Sequence, residues 1–225
     1  MAIRALTFDI IGTVFDYMGT FSKDVATLNQ RYGLNLDPAA FARGAHDGYA
    51  SGVQAVRRSG HWKPPDEILR GSITALLSVD RTPTPEEVDD FLAIWHRLEP
   101  WPDVAPAFEA LHEHLTLVIL SNVSVAMQSA LTANSRLPFD RFLSSEAVKA
   151  YKPGPAMYRQ AIDVLALQPE EIMMVAAHNY DLDAAKEHGF KTAYVDSPGE
   201  GGAPGPAYDI NAANFTELAE KLASQ

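Results

Sequence analysis

The stretch LTFDIIGTVFD, residues 6–16, places an aspartate, Asp9, directly after an apolar run. Short apolar runs of this kind are typical of strands buried on both faces of a parallel sheet. Segments with a helical pattern separate the later runs, and this alternation predicts an α/β fold with a parallel sheet flanked by helices. The predicted strands are 3–8, 115–120, 172–175 and 192–195, and the predicted helices among them are 125–133, 155–165 and 182–188.

The segment after the first strand breaks this alternation. Residues 16–100 show helical patterns and no convincing strand run, so we expect a core domain of residues 1–15 and 101–225 with a helical cap domain, 16–100, inserted above the carboxyl ends of the strands. The Gly/Pro-rich segment 197–209 is predicted to be a surface loop, and NFTELAEKLASQ a closing amphipathic helix. The predicted cap helices are 21–32, 38–56, 66–77 and 85–98.

Composition narrows the cellular setting. The chain has 225 residues, of which 47% are hydrophobic, enough to bury a large core. Its net charge of -11 disfavours nucleic acid and anionic membrane surfaces as partners. The absence of cysteine excludes disulfides, thiolate metal sites and a cysteine nucleophile. The N-terminus lacks the pattern of a signal peptide and no apolar run reaches membrane-span length, so a cytoplasmic protein is expected.

Polar residues follow the ends of several predicted strands or loops. Asp9 follows the first strand, Ser121 and Asn122 follow TLVIL, Lys152 follows EAVKAY, and AAHNYDLD follows IMMV. Each alone has a structural explanation: an aspartate after a strand makes a turn, Ser-Asn caps a helix, and Lys-Pro forms a solvated turn. Because the carboxyl ends of parallel strands share one edge, the four together indicate a functional site.

These motifs, in this order, resemble those of the haloacid dehalogenase superfamily. The resemblance is carried by FDIIGTVFD, LSN, YKPGPAMY and AAHNYDLDAAKEHGF, and it covers nearly the whole chain. It implies a Rossmann-like core with an inserted helical cap, and Asp9 as the nucleophile. Most members of the superfamily are magnesium-dependent phosphatases, so departures from the phosphatase pattern decide the branch.

Two departures argue against a phosphatase. An alkoxide leaving group must be protonated, yet Ile11 stands where the phosphatase pattern has its second aspartate. Ala177 stands where a further acid would bind Mg²⁺. A halide is a weak base that leaves without a proton, and an arginine can neutralise the carboxylate of a 2-haloacid. The resemblance therefore implies a 2-haloacid dehalogenase without metal or cofactor, in which Asp9 forms an ester that water hydrolyses.

The remaining motifs assign further roles. The resemblance implies that Thr13 hydrogen-bonds the nucleophile and that Lys152 keeps it ionised. It also implies that Ser121 and Asn122 contact the substrate carboxylate and the departing halide. Tyr158 matches the family tyrosine that lies six residues after the lysine. An apolar pocket wall, for which a core position is an equal explanation, is expected from Ile10, Ile11, Tyr49 and Trp62.

The cap is expected to supply the arginine. Arg43 lies on a mainly apolar helical pattern with Tyr49 six residues on, the spacing found around the arginine of the L-2-haloacid branch. Arg57 and Arg58 are alternatives, but the Ser-Gly after them is typical of a solvated helix end. Arg43 is favoured because a bidentate guanidinium suits a carboxylate or a halide.

The last motif departs from SSNAWD, the best-known L-2-haloacid pattern. Ala176, His178 and Tyr180 stand in place of Ser, Asn and Trp, so the water-holding serine is missing. His178 is a candidate to position the water, accept its proton or donate to the halide, and a structurally satisfied buried histidine is the equal alternative. The AAHN version resembles a branch that includes enzymes acting on fluoroacetate.

Three other polar residues belong to the same motif. Asn179 is a further candidate catalytic residue. Asp181 is expected to orient Lys152 or water, whereas Asp183 is expected to face solvent at the start of the helix.

Three functions remain open on this reading. The favoured one is a metal-independent hydrolase of a small 2-haloacid such as chloroacetate or 2-chloropropionate, with fluoroacetate as a smaller substrate. The others are a phosphatase of a small phosphomonoester and a catalytically silent binding protein. Halide release in the presence of a chelator distinguishes the first from the second, and tolerance of Asp9→Asn identifies the third. Homodimers are common in the family, and the apolar cap helices permit one.

Overall fold

The computed structural model describes residues 2–79, 81–200, 204–205 and 208–224. The chain divides into two compact units. Met1–Phe15 and Pro100–Gln225 form one, which we call the sheet unit, and Asp16–Glu99 forms the other, which we call the helical unit. None of the described helices is long and apolar enough to cross a membrane.

The strands of the sheet unit build one parallel sheet in the order β5-β4-β1-β6-β7-β8, and this confirms the predicted α/β class. Every residue of β1 and β6 is buried, as expected for strands covered on both faces. A separate pair, β2 with β3, lies where the chain passes between the two units. The strands are β1 (Ala5–Phe8), β2 (Phe15–Asp16), β3 (Glu99–Pro100), β4 (Thr116–Ser121), β5 (Arg141–Ser144), β6 (Ile172–Ala176), β7 (Lys191–Val195) and β8 (Ile210–Ala212).

Four of the α-helices begin at a proline that marks their start in the sequence. Pro occupies the first turn of α2, α3, α4 and α8, where its missing N–H costs nothing. The α-helices are α1 (Tyr17–Tyr32), α2 (Pro38–Ser59), α3 (Pro65–Leu77), α4 (Pro85–Ala93), α5 (Val104–His112), α6 (Val125–Ser135), α7 (Ser145–Val148), α8 (Pro155–Leu165), α9 (Asn179–Glu187) and α10 (Phe215–Ala223). Short 3-10 helices cover Ile94–Arg97 and Pro169–Glu171.

The position of β1 locates the site. The sheet extends from β1 through β4 and β5 on one side and through β6, β7 and β8 on the other, so the strand order reverses next to β1. Open α/β sheets bind ligands at the carboxyl ends of the strands beside such a reversal. Asp9 follows β1 at this edge, and its N–H donates to the carbonyl of Val175 in β6 at 3.1 Å.

Aromatic packing around Phe8 holds the end of β1 in place. The ring of Phe8, which is fully buried, lies 4.7 Å from the ring of Phe108 and 5.9 Å from that of Phe139. Buried aromatic clusters of this kind hold a backbone rigidly because interiors are close-packed. Asp9 therefore follows a residue whose ring is packed tightly in the core.

The helical unit depends on close approach of α2 and α3. A Cβ built on Gly48 of α2 would lie 2.1 Å from Ser72 Oγ, and one on Gly52 would lie 2.3 Å from a methyl carbon of Ile68. Larger residues at these positions would push the helices apart, so the glycines of GAHDGYASG are packing residues rather than turn residues.

Three expectations about the elements need correction. The predicted helix 85–98 ends at Ala93, and a 3-10 turn, Ile94–Arg97, follows. The short strands β2 and β3 border the segment for which no strand was expected, and β5 and β8 were not predicted. The start of the predicted surface loop is also partly buried: Ser197 is 2% exposed. Within that loop, residues 201–203 and 206–207 lie outside the described residues.

Candidate active site

Asp9 is the centre of a buried polar network. Its side chain is 9% exposed, and each of its oxygens has two neighbours. Lys152 Nζ lies 3.0 Å from Oδ1, and the Ser121 hydroxyl donates to the same oxygen at 3.4 Å. The Thr13 hydroxyl donates to Oδ2 at 3.1 Å, and His178 Nδ1 lies 3.2 Å from that oxygen. The carboxylate is therefore held in one orientation by groups from separate elements.

The turn after β1 explains how Thr13 reaches Asp9. Gly12 has φ +77°, a conformation that glycine adopts without strain, and the N–H groups of Val14 and Phe15 both return to the carbonyl of Ile10. Thr13 also accepts a hydrogen bond from the N–H of Ala177 at 3.1 Å. One hydroxyl thus ties Asp9 to the segment that follows β6.

Lys152 is shared between two carboxylates. Its ammonium lies 3.0 Å from Asp9 and 2.5 Å from Asp181, and its side chain is 1% exposed. The amide of Asn122 fixes the backbone of Lys152, since Oδ1 accepts from its N–H at 2.7 Å and Nδ2 donates to its carbonyl at 3.2 Å. The alternative of a solvated Lys-Pro turn is therefore wrong.

Asp181 completes this side of the network. It is fully buried, and the Tyr158 hydroxyl donates to its Oδ1 at 2.6 Å. Ser121 is not the cap of α6, because that task belongs to Ser124, whose Oγ accepts from the N–H of Met127 at 3.1 Å. The helix-cap alternative for the Ser-Asn pair is therefore wrong, and Ser121 is left to donate to Asp9.

On the other side of Asp9, His178 lies between two carboxylates. Its Nδ1 is at ion-pair distance from Asp9 but is not aligned for a hydrogen bond, whereas Nε2 lies 3.1 Å from Glu200 Oε2. The side chains of His178 and Glu200 are 16% and 6% exposed. Sequence reasoning missed Glu200, because an acid in a Gly/Pro-rich segment looks solvated and nothing in a single sequence marks it as buried.

Sequence comparison with known proteins shows which family the chain belongs to. The sequence model of one family, the haloacid dehalogenase-like hydrolases, matches residues 3–189 of the chain. The chain belongs to the haloacid dehalogenase-like hydrolases. The (S)-2-haloacid dehalogenase of Xanthobacter autotrophicus is 30% identical over 197 residues, which are 86% of this chain and 75% of that protein.

Solved structures agree with this membership. One, of an L-2-haloacid dehalogenase, superposes with a TM-score of 0.92 at 30% identity and covers 100% of both chains. Another, of a defluorinating L-2-haloacid dehalogenase, has a TM-score of 0.93 at 32% identity and covers 98% of this chain and 95% of the other. The resemblance inferred from the motifs is therefore confirmed at the level of the superfamily and its dehalogenase branch.

The charges in this haloacid dehalogenase-like hydrolase keep Asp9 ionised. Burial alone would raise the pKa of Asp9, but Lys152 and His178 outweigh burial and hold that pKa well below its usual range. The pKa of Asp181 is raised instead, because full burial and the nearby Asp9 charge exceed the effect of Lys152. The surroundings therefore favour the charged form of Asp9 and disfavour that of Asp181.

The pKa values of Lys152 and His178 are also shifted. Burial favours neutral Lys152, yet Asp181 and Asp9 raise its pKa. Burial would likewise lower the pKa of His178, but the carboxylates of Asp9 and Glu200 raise it from 6.5 to about 10. Both oxygens of Asp9 therefore face positive charge at neutral pH.

The donor set does not fit the magnesium site of the family's phosphatases. The oxygens of Asp9 are already approached by Lys152 and His178, and Ala177 supplies no carboxylate. Among the described residues, no group of three or more His, Cys, Asp and Glu side chains is placed to hold a metal ion.

Other predicted site residues lie elsewhere or have other contacts. Arg43 is exposed and Tyr49 is buried, both on α2 of the helical unit. Ile10 is fully buried, whereas Ile11 is partly exposed. Asn179 accepts from the Tyr208 hydroxyl at 3.2 Å, and the exposed Asp183 accepts from the same hydroxyl at 3.0 Å.

Proposed function

We propose that this protein hydrolyses the carbon–halogen bond of short 2-haloalkanoates such as chloroacetate and 2-chloropropionate, and releases the 2-hydroxy acid and halide. The observation that carries the proposal is the buried carboxylate of Asp9, which has Lys152 beside one oxygen and His178 beside the other. Ile11 stands where a phosphatase has its acid. Relatives and structural neighbours named as 2-haloacid dehalogenases support a hydrolase of carbon–halide bonds.

In the first step, Asp9 attacks the carbon that bears the halogen. A bond forms between a carboxylate oxygen and that carbon, the carbon–halogen bond breaks, and its electron pair leaves with the halide. The product is an ester of Asp9 with inverted configuration at the carbon. A heavier halide is a very weak base, so this step needs no proton donor in the place of Ile11.

In the second step, water attacks Cγ of the ester. We assign Oδ2 as the attacking oxygen of the first step, which leaves Oδ1 as the carbonyl oxygen beside Lys152 and Ser121. These two donors then stabilise the negative charge that develops on Oδ1. Asp181 and Tyr158 keep Lys152 in place for this task.

The substrate carboxylate is assigned to Arg43. A guanidinium binds a carboxylate through two parallel hydrogen bonds, and the sheet-unit network itself is already rich in carboxylates. Fluoride is included among the proposed leaving groups because one structural neighbour, at 32% identity, is described as defluorinating.

The test is halide release from fluoro-, chloro- and bromoacetate and from both enantiomers of 2-chloropropionate, measured with EDTA present. Asp9→Asn should abolish release, whereas Asp183→Asn, an exposed carboxylate change nearby, should leave it near the wild-type rate. Activity that EDTA removes, or magnesium-dependent phosphate release from a small phosphomonoester without halide release, would overturn the proposal.

A further inference from the structure

The second step of the proposed reaction has a requirement that the first lacks. When water cleaves the Asp9 ester, the bond that breaks joins Cγ to the oxygen carrying the substrate carbon. That oxygen leaves as the alkoxide of a 2-hydroxy acid, a strong base that must gain a proton as it departs. Ile11 cannot supply the proton, so another group near Oδ2 is needed.

His178 is the titratable group that faces Oδ2. Its Nδ1 lies 3.2 Å from this oxygen, and its Nε2 lies 3.1 Å from Glu200 Oε2. Hydrolases that activate water or a hydroxyl with histidine use this order, in which one ring nitrogen faces the reacting oxygen and a carboxylate holds the other. Among the described residues Nδ1 has no aligned hydrogen-bond partner, so no structural hydrogen bond accounts for its place beside Oδ2.

Glu200 reaches His178 because of the glycine in the opening motif. A Cβ on Gly12 would lie 2.6 Å from the Glu200 carboxyl carbon, so a side chain at position 12 would displace the carboxylate. The backbone before Glu200 is also anchored: Ser197 Oγ donates to the Thr13 carbonyl at 3.2 Å, and the Glu200 N–H donates to the Ser197 carbonyl at 3.2 Å. The turn that carries Thr13 therefore also sets the position of Glu200.

A buried carboxylate is costly unless it is compensated, and His178 is the partner that the structure records for Glu200. A purely structural ion pair would satisfy that need, but it would not have to place the second ring nitrogen on the nucleophile. We infer that Glu200 is a positioning residue, which orients His178 and stabilises its charge while the imidazole transfers protons during hydrolysis of the Asp9 ester. This inference rests on the proposed function.

The proton balance closes over one turnover. In the part of the chain that the structure describes, the charged groups facing His178 are Asp9 and Glu200, and the ring of Tyr180 lies 5.7 Å away. Ester formation removes the Asp9 charge, so the imidazolium releases its Nδ1 proton, which is the one proton that the overall reaction liberates. Nδ1 then takes a proton from the attacking water and passes it to the departing oxygen. The second water proton moves from the new Asp9 carboxyl back to Nδ1.

Rapid-mixing kinetics with bromoacetate test the inference. Glu200→Gln keeps the shape but loses the charge, so the first step should persist while ester hydrolysis slows by about 10²-fold or more. The expected result is a halide burst of about one equivalent per enzyme, with the ester on Asp9 detected by mass spectrometry. Glu187→Gln, an exposed change on α9, should show wild-type turnover and no burst.

Separate outcomes distinguish the two proposals. If the wild-type protein releases no halide from any of the haloacids, the proposed function itself is wrong. Wild-type turnover in Glu200→Gln, or an equal slowing of the burst and the later phase, overturns only the role of Glu200. If Glu200→Gln does not fold, His178→Asn carries the test, because ester hydrolysis at the wild-type rate in that variant also overturns the inference.

Discussion

At the scale of single residues, the site consists of buried carboxylates paired with buried cations. The carboxylates of Asp9, Asp181 and Glu200 face the cations of Lys152 and His178. Asp9 touches both cations and has the lowered pKa, whereas Asp181 touches one and has a raised pKa. The arrangement therefore favours the charged form of Asp9 over that of Asp181, which agrees with the proposed role of Asp9 as the nucleophile.

Lys152→Met should remove most of the electrostatic effect that lowers the pKa of Asp9. Without the ammonium, the pKa of Asp9 rises, so the acid limb of the pH–rate profile moves to higher pH. The oxyanion also loses a donor, and kcat falls by about 10²-fold or more. Lys186→Met, an exposed change on α9, is the matched control. An unchanged acid limb in Lys152→Met would show that other groups keep Asp9 ionised.

Thr13→Val tests the hydroxyl that links Asp9 to the segment after β6. Valine keeps the shape but leaves the buried N–H of Ala177 without its acceptor, which costs about 1–3 kcal/mol of unfolding free energy. Thr13→Ser retains the hydroxyl and should stay close to wild type. Denaturant unfolding of both variants measures the difference, and equal loss in the two would mean that the methyl group, not the hydroxyl, matters.

At the scale of elements, two glycines in neighbouring helices should respond in opposite directions. Gly48→Ala places a Cβ 2.1 Å from Ser72 Oγ and 3.0 Å from Ser72 Cβ. Ser72 must then turn and lose its hydrogen bond to the Ala45 carbonyl, or α2 and α3 must shift, so stability falls by about 1 kcal/mol or more. Gly71→Ala meets nothing within 4 Å on an exposed face of α3, so helix propensity raises stability by about 0.5–1 kcal/mol. Thermal unfolding compares the two, and a stabilising Gly48→Ala would refute the packing role.

Elements with a strong local pattern were predictable from the sequence. The span of α8 was predicted as it is observed, since its proline start and apolar periodicity agree. The core strands were placed within two residues, because buried parallel strands are continuous apolar runs. The motif order also located Asp9 and Lys152, which the structure brings to 3.0 Å.

Features that depend on tertiary contacts were not predictable. The strand β5 (Arg141–Ser144) begins with two exposed residues, so it carries no buried-strand pattern and owes its place to pairing with β4. Glu200 is buried because Gly12 leaves it room and Ser197 anchors its segment, and these contacts join residues nearly two hundred positions apart. Composition alone assigns such a segment to the surface.

At the scale of the whole molecule, the site makes stability depend on pH. The pKa of folded His178 is about 10 against an ordinary 6.5, so its contribution is fully present below pH 6.5 and is lost as pH rises towards 10. The pKa of folded Asp9 lies below its ordinary 3.8, so that contribution is present above this value and is lost as pH falls.

Unfolding free energies measured from pH 6.5 to 10 test the predicted loss of the stabilising contribution of His178. Wild-type protein should lose stability more steeply than His178→Asn, by up to about 1.4 kcal/mol per pH unit for one proton. Parallel curves for the two proteins would mean that His178 is not held as an imidazolium in the folded state.

The most direct test of the central claim follows oxygen through one turnover. Excess enzyme reacts with 2-chloropropionate in water labelled with heavy oxygen, and both the lactate and the peptide containing Asp9 are weighed by mass spectrometry. If Asp9 forms an ester that water hydrolyses, the label enters the Asp9 carboxylate and the lactate carries unlabelled oxygen from the enzyme. Label in the lactate, with Asp9 unlabelled, would mean that water attacks the substrate directly and would contradict the account.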